Sequence, residues 1–369
     1  MSVESRAKRP AASAAGLGVG IDALAGSKRI DLPPDGVQLE PSTLPGYVKA
    51  KGSRRARALS GGLASMALLL ALAAPAFSAR AAPGSCGDAG VAVQVLGSGG
   101  PEMRGRASAA YLVWVDGKAR VLVDAGGGSA LRFGESGARV ADFSLVLFTH
   151  FHSDHSADFP VLVKSSHFEQ RPRKEPLPVL GPEGSELMPS ASQFVGGMFA
   201  PGTGVFRYLG PMGNEQIYDL QPRDIALGAE EVRNVFDKDG LRVGATRVVH
   251  AKIPSLAFRV EVVGKAIVFT GDGNGNNGNL ERIGRDVDLL VAHLAIDDGF
   301  HSPFGERTLH APPGVIGRIA AETKARRLVL AHRRPETLGK EAHLRDVIAA
   351  QYKGPIEFAD DLSCFPLPN

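Results

Sequence analysis

Short apolar runs separated by Gly, Pro and Asp-Gly turn signals form two groups along the chain. The first group is VAVQVLG (Val91 to Gly97), AAYLVWV (Ala109 to Val115), ARVLVDAGGG (Ala119 to Gly128) and FSLVLFT (Phe143 to Thr149). The second group is LRVGATRVVH (Leu241 to His250), SLAFRVEV (Ser255 to Val262), KAIVFTGD (Lys265 to Asp272) and RLVLAH (Arg327 to His332). Runs of this length and composition predict buried β-strands, and a helix is predicted over Pro313 to Lys324. Two groups of strands with helices between them favour two sheets with helices outside.

Polar residues that can bind a metal stand where four of these strands end. They are His150, His152, Asp154 and His155 directly after FSLVLFT, and then His250, Asp272 and His332 at the ends of three later strands. Imidazole and carboxylate groups suit Zn²⁺, and the set contains no cysteine that would indicate a closed structural site. Seven ligands are too many for one tetrahedral ion, but two ions bridged by one carboxylate use all seven. The pattern predicts two zinc ions per chain.

Residues 1 to 81 differ in composition from the rest and are predicted to be a leader. Residues 1 to 50 are rich in Ala, Gly, Ser and Pro, and KGSRRAR (51 to 57), MALLLALAAPAF (66 to 77) and ARA (79 to 81) follow. This order of basic, apolar and small residues is typical of a signal peptide. A membrane anchor is disfavoured because the apolar core is short and Pro75 interrupts it. We therefore expect a periplasmic or secreted domain over residues 82 to 369, without a stable membrane anchor.

The charge balance and the cysteines bear on partners and compartment. The chain has a net charge of +3, but residues 1 to 81 hold 11 basic and 5 acidic side chains, which leaves 31 basic and 34 acidic ones. The remaining net charge of −3 lacks the basic footprint of a nucleic-acid-binding protein. Cys86 and Cys364 could close a disulfide in an oxidising compartment if their Cα atoms approach closely, which the sequence leaves open.

The motif His150-x-His152-x-Asp154-His155, followed in order by His250, Asp272 and His332, resembles the ligand set of the metallo-β-lactamase superfamily. More narrowly, VLGSGGP (95 to 101), VLVDAGGG (121 to 128), VVHAKIPSLAFRVE (248 to 261), FTGDG (269 to 273) and LVLAH (328 to 332) are similar to segments of its ribonuclease-Z-like branch. The resemblance covers residues 90 to 335 and implies an α/β fold, an αββα four-layer sandwich with the site at the edge between the sheets.

The resemblance also implies roles for individual residues. His150, His152 and His250 would hold one zinc, Asp154, His155 and His332 the other, and Asp272 would bridge them, with a metal-bridging hydroxide as nucleophile. Asp154 and His310 are the candidate catalytic residues, and His310 would either donate a proton to the leaving group or contact the transition-state oxyanion. We expect Asp124 to support the ligand loop through hydrogen bonds rather than to bind metal.

Departures from the branch bear on the substrate. Ribonuclease Z carries a long arm for tRNA after the histidine that matches His250, whereas here the chain runs to Asp272 as a tight hairpin. Segments Arg106 to Glu135 and Asp158 to Glu169 are similar to exported arylsulfatase-like members, which favours a small sulfate or phosphate ester, with Arg333 or Arg334 assisting. The alternatives are a phosphodiesterase or ribonuclease-Z-type tRNA 3′ endonuclease, a lactonase or β-lactamase, and a non-catalytic binding module. Nucleic acid is not an expected partner, and the oligomeric state stays open, a homodimer included.

Overall fold

The computed structural model describes residues 86 to 169, 175 to 209, 219 to 299 and 305 to 368. The predicted leader, residues 1 to 81, lies outside the described residues, so the export signal and the domain boundary stay predictions. Within the described part, no helix is both long enough and apolar enough to cross a membrane.

Fourteen described strands form two seven-stranded sheets. The first has the order β14-β1-β2-β3-β4-β5-β6 and the second β13-β12-β11-β10-β9-β8-β7. The strands of the first sheet are β1 (Val91–Gly97), β2 (Ala110–Val115), β3 (Lys118–Val123), β4 (Leu145–Leu147), β5 (Leu177–Pro182), β6 (Leu220–Ile225) and β14 (Cys364–Leu367). Those of the second sheet are β7 (Val232–Lys238), β8 (Leu241–His250), β9 (Ile253–Val262), β10 (Lys265–Phe269), β11 (Leu289–His293), β12 (Leu328–Ala331) and β13 (Ile356–Phe358).

Eight described α-helices lie between the strands in sequence. They are α1 (Ser129–Ser136), α2 (Ser153–Ser156), α3 (Phe159–Ser166), α4 (Ala191–Phe199), α5 (Asn279–Ile283), α6 (Glu306–Leu309), α7 (Pro313–Glu322) and α8 (Glu341–Gln351). Two 3₁₀ turns, Val140–Asp142 and Arg207–Leu209, add to them. The predicted helix from Pro313 thus ends at Glu322, two residues earlier than expected.

Strand β1 shows why the apolar runs are continuous rather than alternating. Val91, Val93 and Val95 point into the core between the two sheets, whereas Ala92 and Leu96 point into a second core beneath α1, α3 and α4. A third core lies between the second sheet and α5, α7 and α8. Because both faces of each sheet are covered, the central strands are apolar on both sides. The predicted αββα sandwich is confirmed.

A disulfide joins Cys86 to Cys364, with their Cα atoms 5.6 Å apart. Cys86 lies in the short turn before β1, and Cys364 is the first residue of β14, the antiparallel neighbour of β1. The pairing that the sequence left open is therefore formed, and it links positions separated by 278 residues.

Candidate metal centre

Sheet topology explains why the predicted ligands meet. Strands β10, β11 and β12 are parallel, and β8 runs in the same direction because it is antiparallel to β9, which is antiparallel to β10. Their carboxyl ends therefore share one edge. His250 is the last residue of β8, Asp272 follows β10 by three residues, and His332 follows β12 directly. All seven predicted ligands are brought together at this edge.

The segment after β4 supplies the other four ligands. His150 and His152 lie in the loop after the strand, and Asp154 and His155 lie on the short helix α2. Gly126, which follows β3, lies very close to this helix, since a Cβ on Gly126 would lie 2.1 Å from the main-chain oxygen of Asp154. A side chain at that position would displace the ligand helix, so this close approach requires glycine at position 126.

Three histidines form one group with their ring nitrogens facing each other. His150 Nε2 lies 3.0 Å from His152 Nδ1, and His250 Nε2 lies 3.4 Å from that same atom. His250 is oriented by its other nitrogen, since Nδ1 donates to the carbonyl oxygen of Leu309 at 2.8 Å. His150 and His250 are buried, and His152 is half-buried. The three rings thus offer nitrogen atoms to one point at the edge of a cavity.

Asp272 lies at the centre of the whole cluster. Its Oδ2 atom is 3.5 Å from His155 Nε2, 3.6 Å from His332 Nε2, 3.8 Å from His250 Nε2 and 3.9 Å from His150 Nε2. One oxygen therefore faces imidazoles of both predicted metal sites, which is the placement that a bridging carboxylate requires.

The second predicted site combines two histidines with the carboxylate of Asp154. Asp154 Oδ2 lies 3.2 Å from His332 Nε2 and 3.6 Å from His155 Nε2. His332 adopts the left-handed conformation, with φ of 53°. A non-glycine residue in this region costs on the order of 1 to 2 kcal/mol, so the packing around the site must stabilise it.

Electrostatics divides the histidines in the same way. Burial, reinforced by neighbouring histidines, lowers the pKa of His150 well below its ordinary value. Burial would also lower the pKa of His155, but Asp272, Asp154 and Asp124 together raise it well above the ordinary value. Burial opposes ionisation of Asp272, yet the histidines around it hold its pKa well below the usual range. The pKa values of the other two histidines in the three-histidine group are lowered as well, so that side favours neutral rings, whereas the other side is rich in carboxylate.

Unsatisfied atoms indicate that this donor set fits a metal. His155 Nε2 is buried and has no hydrogen-bond partner among the described residues, although it points toward Asp272 and Asp154. A buried polar atom without a partner is costly, and a cluster of imidazole nitrogens and carboxylates is the chemistry that divalent zinc binds. The geometry therefore suits metal binding, while ligation by the seven residues stays a prediction.

Asp124 lies outside the cluster and fixes the orientation of His155. Its carboxylate is fully buried and accepts hydrogen bonds from Thr149 N (2.7 Å), Thr149 Oγ1 (2.8 Å) and His155 Nδ1 (2.8 Å). In the neutral ring, the form that can bind a metal, Nδ1 donates to Asp124 and the lone pair of His155 is on Nε2, the atom that faces the cluster. The contacts match the supporting role expected of Asp124.

From the sequence alone, His293 could be either a partner of a metal ligand or a core histidine, and it was not assigned to the site. It ends β11 at the same edge, and its Nδ1 donates to Asp272 Oδ1 at 2.7 Å. Its Nε2 lies 2.8 Å from the hydroxyl oxygen of Tyr111. Both nitrogens are thus engaged, so we do not count His293 among the ligands although it lies within reach of them. Its position after an apolar run was a signal, but a core histidine gives the same pattern.

A cavity of about 230 Å³ opens over the cluster. Its lining is Pro101, His152, Asp154, His250, Asp272, Leu309, His310, His332 and Arg334. His310 is buried, with Nδ1 3.8 Å from Asp272 Oδ2 and no hydrogen-bond partner for that nitrogen in the described structure. A larger concavity of 460 Å³, bordered by parts of β5, β6 and β7, contains none of the predicted ligands.

The two arginines that follow His332 differ in position. Arg334 lines the cavity, and its Nε donates to Glu102 Oε1 at 2.8 Å. Arg333 instead pairs with Glu341 and stacks on the ring of Phe358, with 5.2 Å from the guanidinium carbon to the ring centroid. Of the two candidates for substrate contact, the geometry retains Arg334.

Comparison with known proteins agrees with this arrangement. The family model described as the metallo-beta-lactamase superfamily matches residues 103 to 338, which include all seven predicted ligands. The chain belongs to the metallo-β-lactamase superfamily. Members of this superfamily typically bind metal ions, and the chain is a metal-dependent hydrolase acting on ester bonds.

Curated relatives support the ribonuclease-Z-like branch of the superfamily. Ribonuclease Z of Mycolicibacterium paratuberculosis is 28% identical over 289 residues, covering 74% of this chain and 96% of the relative. Ribonuclease Z of Mycobacterium sp. strain KMS is 29% identical over 288 residues, covering 74% of this chain and 94% of the relative. The resemblance read from the motifs is thereby confirmed at the level of the branch.

Solved structures share the fold. Human tRNase Z, short form, superposes with a TM-score of 0.58 at 22% identity, covering 75% of this chain and all of that chain. The metallo-beta-lactamase fold protein YhfI from Bacillus subtilis gives a TM-score of 0.56 at 19% identity and covers 75% of this chain and 99% of that one.

Proposed function

We propose that this superfamily member is a dinuclear zinc phosphodiesterase that acts on small phosphodiesters. The observation that carries the proposal is the central position of Asp272 Oδ2, which faces histidines of both predicted sites at 3.5 to 3.9 Å. When bound, two zinc ions would supply Lewis acidity and a water molecule that ionises near neutral pH. The chain's own residues would hold the metals, orient the ester and contact the charge that develops.

The choice of a phosphodiester rests on the relatives. Two curated relatives that each cover 74% of this chain are named ribonuclease Z, and the nucleotides of RNA are joined by phosphodiester bonds. Arylsulfatase-like activity, favoured by the sequence analysis, depends on two sequence segments alone, and the relatives described above do not support it. A sulfate monoester carries a similar single charge at a tetrahedral centre, so it belongs in the same assay.

Two tight hairpins argue for a small substrate rather than tRNA. His250 of β8 pairs with Ile253 of β9, and Val262 of β9 pairs with Lys265 of β10, so only two residues form each turn. Between His250 and Asp272 there is consequently no room for an inserted tRNA-binding arm. The net charge of −3 over residues 82 to 369 also disfavours a polyanion. A ribonuclease-Z-type endonuclease is the second candidate function, because curated relatives of this chain are named ribonuclease Z.

His310 is assigned as a hydrogen-bond donor to the transition state. Burial, opposed by Asp272 and reinforced by His332 and His250, lowers the pKa of His310 to about 3, so its imidazole is neutral at pH 7. A neutral imidazole is a poor proton donor to a leaving group, but its N–H can stabilise an oxyanion. Arg334, held by Glu102 in the cavity wall, adds positive charge near an anionic substrate.

The test is a comparison of rates and metal content on one preparation. Purified full-length protein is analysed for zinc and assayed with bis(4-nitrophenyl) phosphate, 4-nitrophenyl sulfate, a lactone, a cephalosporin and a precursor tRNA. We expect about two zincs per chain and fastest turnover of the diester. The variant Asp272→Ala is expected to lose metal and activity together.

Preferred cleavage of the precursor tRNA would replace this proposal by the endonuclease. Preferred turnover of the sulfate would return the function to an arylsulfatase. Turnover of the diester that Asp272→Ala retains would show that a contaminating enzyme is responsible, and would remove the support for the proposal.

A further inference from the structure

A chain of two buried hydrogen bonds leads from the first sheet to Asp272. Tyr111 on β2 places its hydroxyl oxygen 2.8 Å from His293 Nε2, and His293 Nδ1 lies 2.7 Å from Asp272 Oδ1. Tyr111 is fully buried, and His293 and Asp272 are nearly so. Tyr111 belongs to the apolar core between the sheets, so this polar connection crosses that core.

Neither Tyr111 nor His293 is a predicted metal ligand or a predicted catalytic residue. Neither side chain lines the cavity, and both nitrogens of His293 are already engaged. Within the described structure, His293 supplies the hydrogen bond that Asp272 Oδ1 accepts, while Asp272 Oδ2 faces four of the five predicted ligand histidines. The two carboxylate oxygens are thus divided between the protein and the predicted metals.

Chemistry fixes the direction of both hydrogen bonds. An ionised carboxylate can only accept, so His293 Nδ1 must carry a proton. A neutral imidazole has one N–H, so Nε2 must accept, and the Tyr111 hydroxyl is its donor. Without that hydroxyl, His293 can shift its proton to Nε2 and turn an unprotonated Nδ1 toward Asp272, where two acceptors would face each other.

We propose that Tyr111 and His293 are positioning residues, which hold the Asp272 carboxylate in the rotation that faces Oδ2 toward the histidines of both predicted metal sites. His293 is itself held at the end of β11. Its main-chain N–H donates to Thr270 Oγ1 at 3.3 Å, and its ring stacks on His332 at a centroid distance of 4.9 Å. The inference concerns metal binding and does not depend on which ester the enzyme cleaves.

Tyr111→Phe is the first test, with Tyr352→Phe as its matched control. Tyr352 is also buried, and its hydroxyl donates to the Ala325 carbonyl oxygen at 2.9 Å, but it lies in the core beneath α7 and α8. Zinc affinity is measured on full-length protein by competition with a chromophoric chelator. Changes in residues that orient ligands typically weaken metal binding by about 10- to 100-fold, and we expect about 10-fold for Tyr111→Phe and no change for Tyr352→Phe.

Variants of His293 separate positioning from simple structural support. His293→Asn keeps an N–H donor near the position of Nδ1, whereas His293→Leu removes it. We expect His293→Leu to weaken zinc binding by about 100-fold and His293→Asn to recover most of that loss. Long-range ¹H–¹⁵N spectra of the metal-free protein are expected to show His293 protonated at Nδ1, and the other tautomer to gain population in Tyr111→Phe.

Three results would overturn the inference. Equal zinc affinity in Tyr111→Phe and Tyr352→Phe would show that the Tyr111 hydroxyl does not help to position Asp272. Equal losses in His293→Asn and His293→Leu would reduce His293 to a packing residue. A wild-type protein that binds no zinc would refute both this inference and the metal site, whereas zinc binding without diesterase activity would refute only the proposed function.

Discussion

Replacing Asp124 by Asn changes one buried oxygen to an NH₂ group and tests how the ligand His155 is oriented. In the wild-type protein, His155 Nδ1 lies 2.8 Å from a carboxylate oxygen of Asp124. If the amide oxygen of the variant keeps the hydrogen bond from Thr149 N, its amide nitrogen faces His155 Nδ1 instead. Two donors cannot face each other, so His155 must move its proton from Nδ1 to Nε2. Nε2 is the atom that points toward Asp272 and Asp154, and a protonated nitrogen cannot bind metal.

The size of the effect follows from this geometry. Asp124 and His155 are both fully buried, so water cannot replace the lost acceptor. Loss of a ligand-orienting hydrogen bond weakens metal binding by about 10- to 100-fold, which corresponds to about 1.4 to 2.7 kcal/mol. Because Asp124 contacts His155 and none of the three-histidine group, we expect one zinc to bind more weakly and the other to be unaffected.

The assay is a zinc titration against a chelator, which resolves two classes of site. Asp288→Asn is the matched control: its carboxylate accepts from Ala266 N at 2.8 Å and pairs with Arg326, at the opposite ends of β10 and β11. Affinity in Asp124→Asn within twofold of this control would refute the tautomer argument. Equal weakening of both sites would show that Asp124 supports the whole cluster rather than His155.

Three further changes test separate parts of the structure. His310→Ala is expected to keep both zincs and to lower turnover about 100-fold, as loss of one oxyanion donor does; unchanged turnover would remove His310 from the chemistry. Replacing Cys86 and Cys364 by Ser is expected to lower the free energy of unfolding by about 2 to 4 kcal/mol in urea titrations, without changing activity per bound zinc; a smaller loss would mean that β14 docks without the bond. Gly271→Ala places a Cβ 2.6 Å from a main-chain carbonyl oxygen, at a backbone φ of 59°. It is therefore expected to destabilise the protein more than Gly264→Ala, where φ is 69° and the added Cβ would meet no atom within 4 Å. Equal unfolding midpoints of the two variants would contradict the steric reason.

The central strands and the ligand cluster were accessible to sequence reasoning for one physical reason. Strands buried on both faces read as continuous apolar runs, and a histidine or aspartate directly after such a run stands out. His250 and His332 fit that pattern, whereas Asp272 follows β10 by three residues because pairing with β9 and β11 ends at Phe269.

Strands β5, β6 and β7 were not predicted, because their residues lack that signature. Strand β5 (LPVLGP) contains two prolines, β6 (LQPRDI) has one buried residue, and five of the seven residues of β7 (VRNVFDK) are exposed. Proline and exposed polar residues are common at sheet edges and obscure the apolar pattern. Helix α8 was also missed.

Long-range contacts explain the remaining omission. His293 looks the same in sequence whether it is a core histidine or a partner of a metal ligand. The difference lies in Tyr111, which is 182 residues away, and in Asp272 on a neighbouring strand. Local patterns cannot contain that information.

The position of β14 has a consequence for how the protein is made. Strand β1 pairs on one side with β2, but its other side is covered only by β14, at the far end of the chain. On the ribosome, the first sheet therefore keeps an open edge until β14 emerges, and unpaired edges are sites of misassembly. This sheet therefore cannot close vectorially from the amino terminus, because β14 must be synthesised before β1 gains its second neighbour.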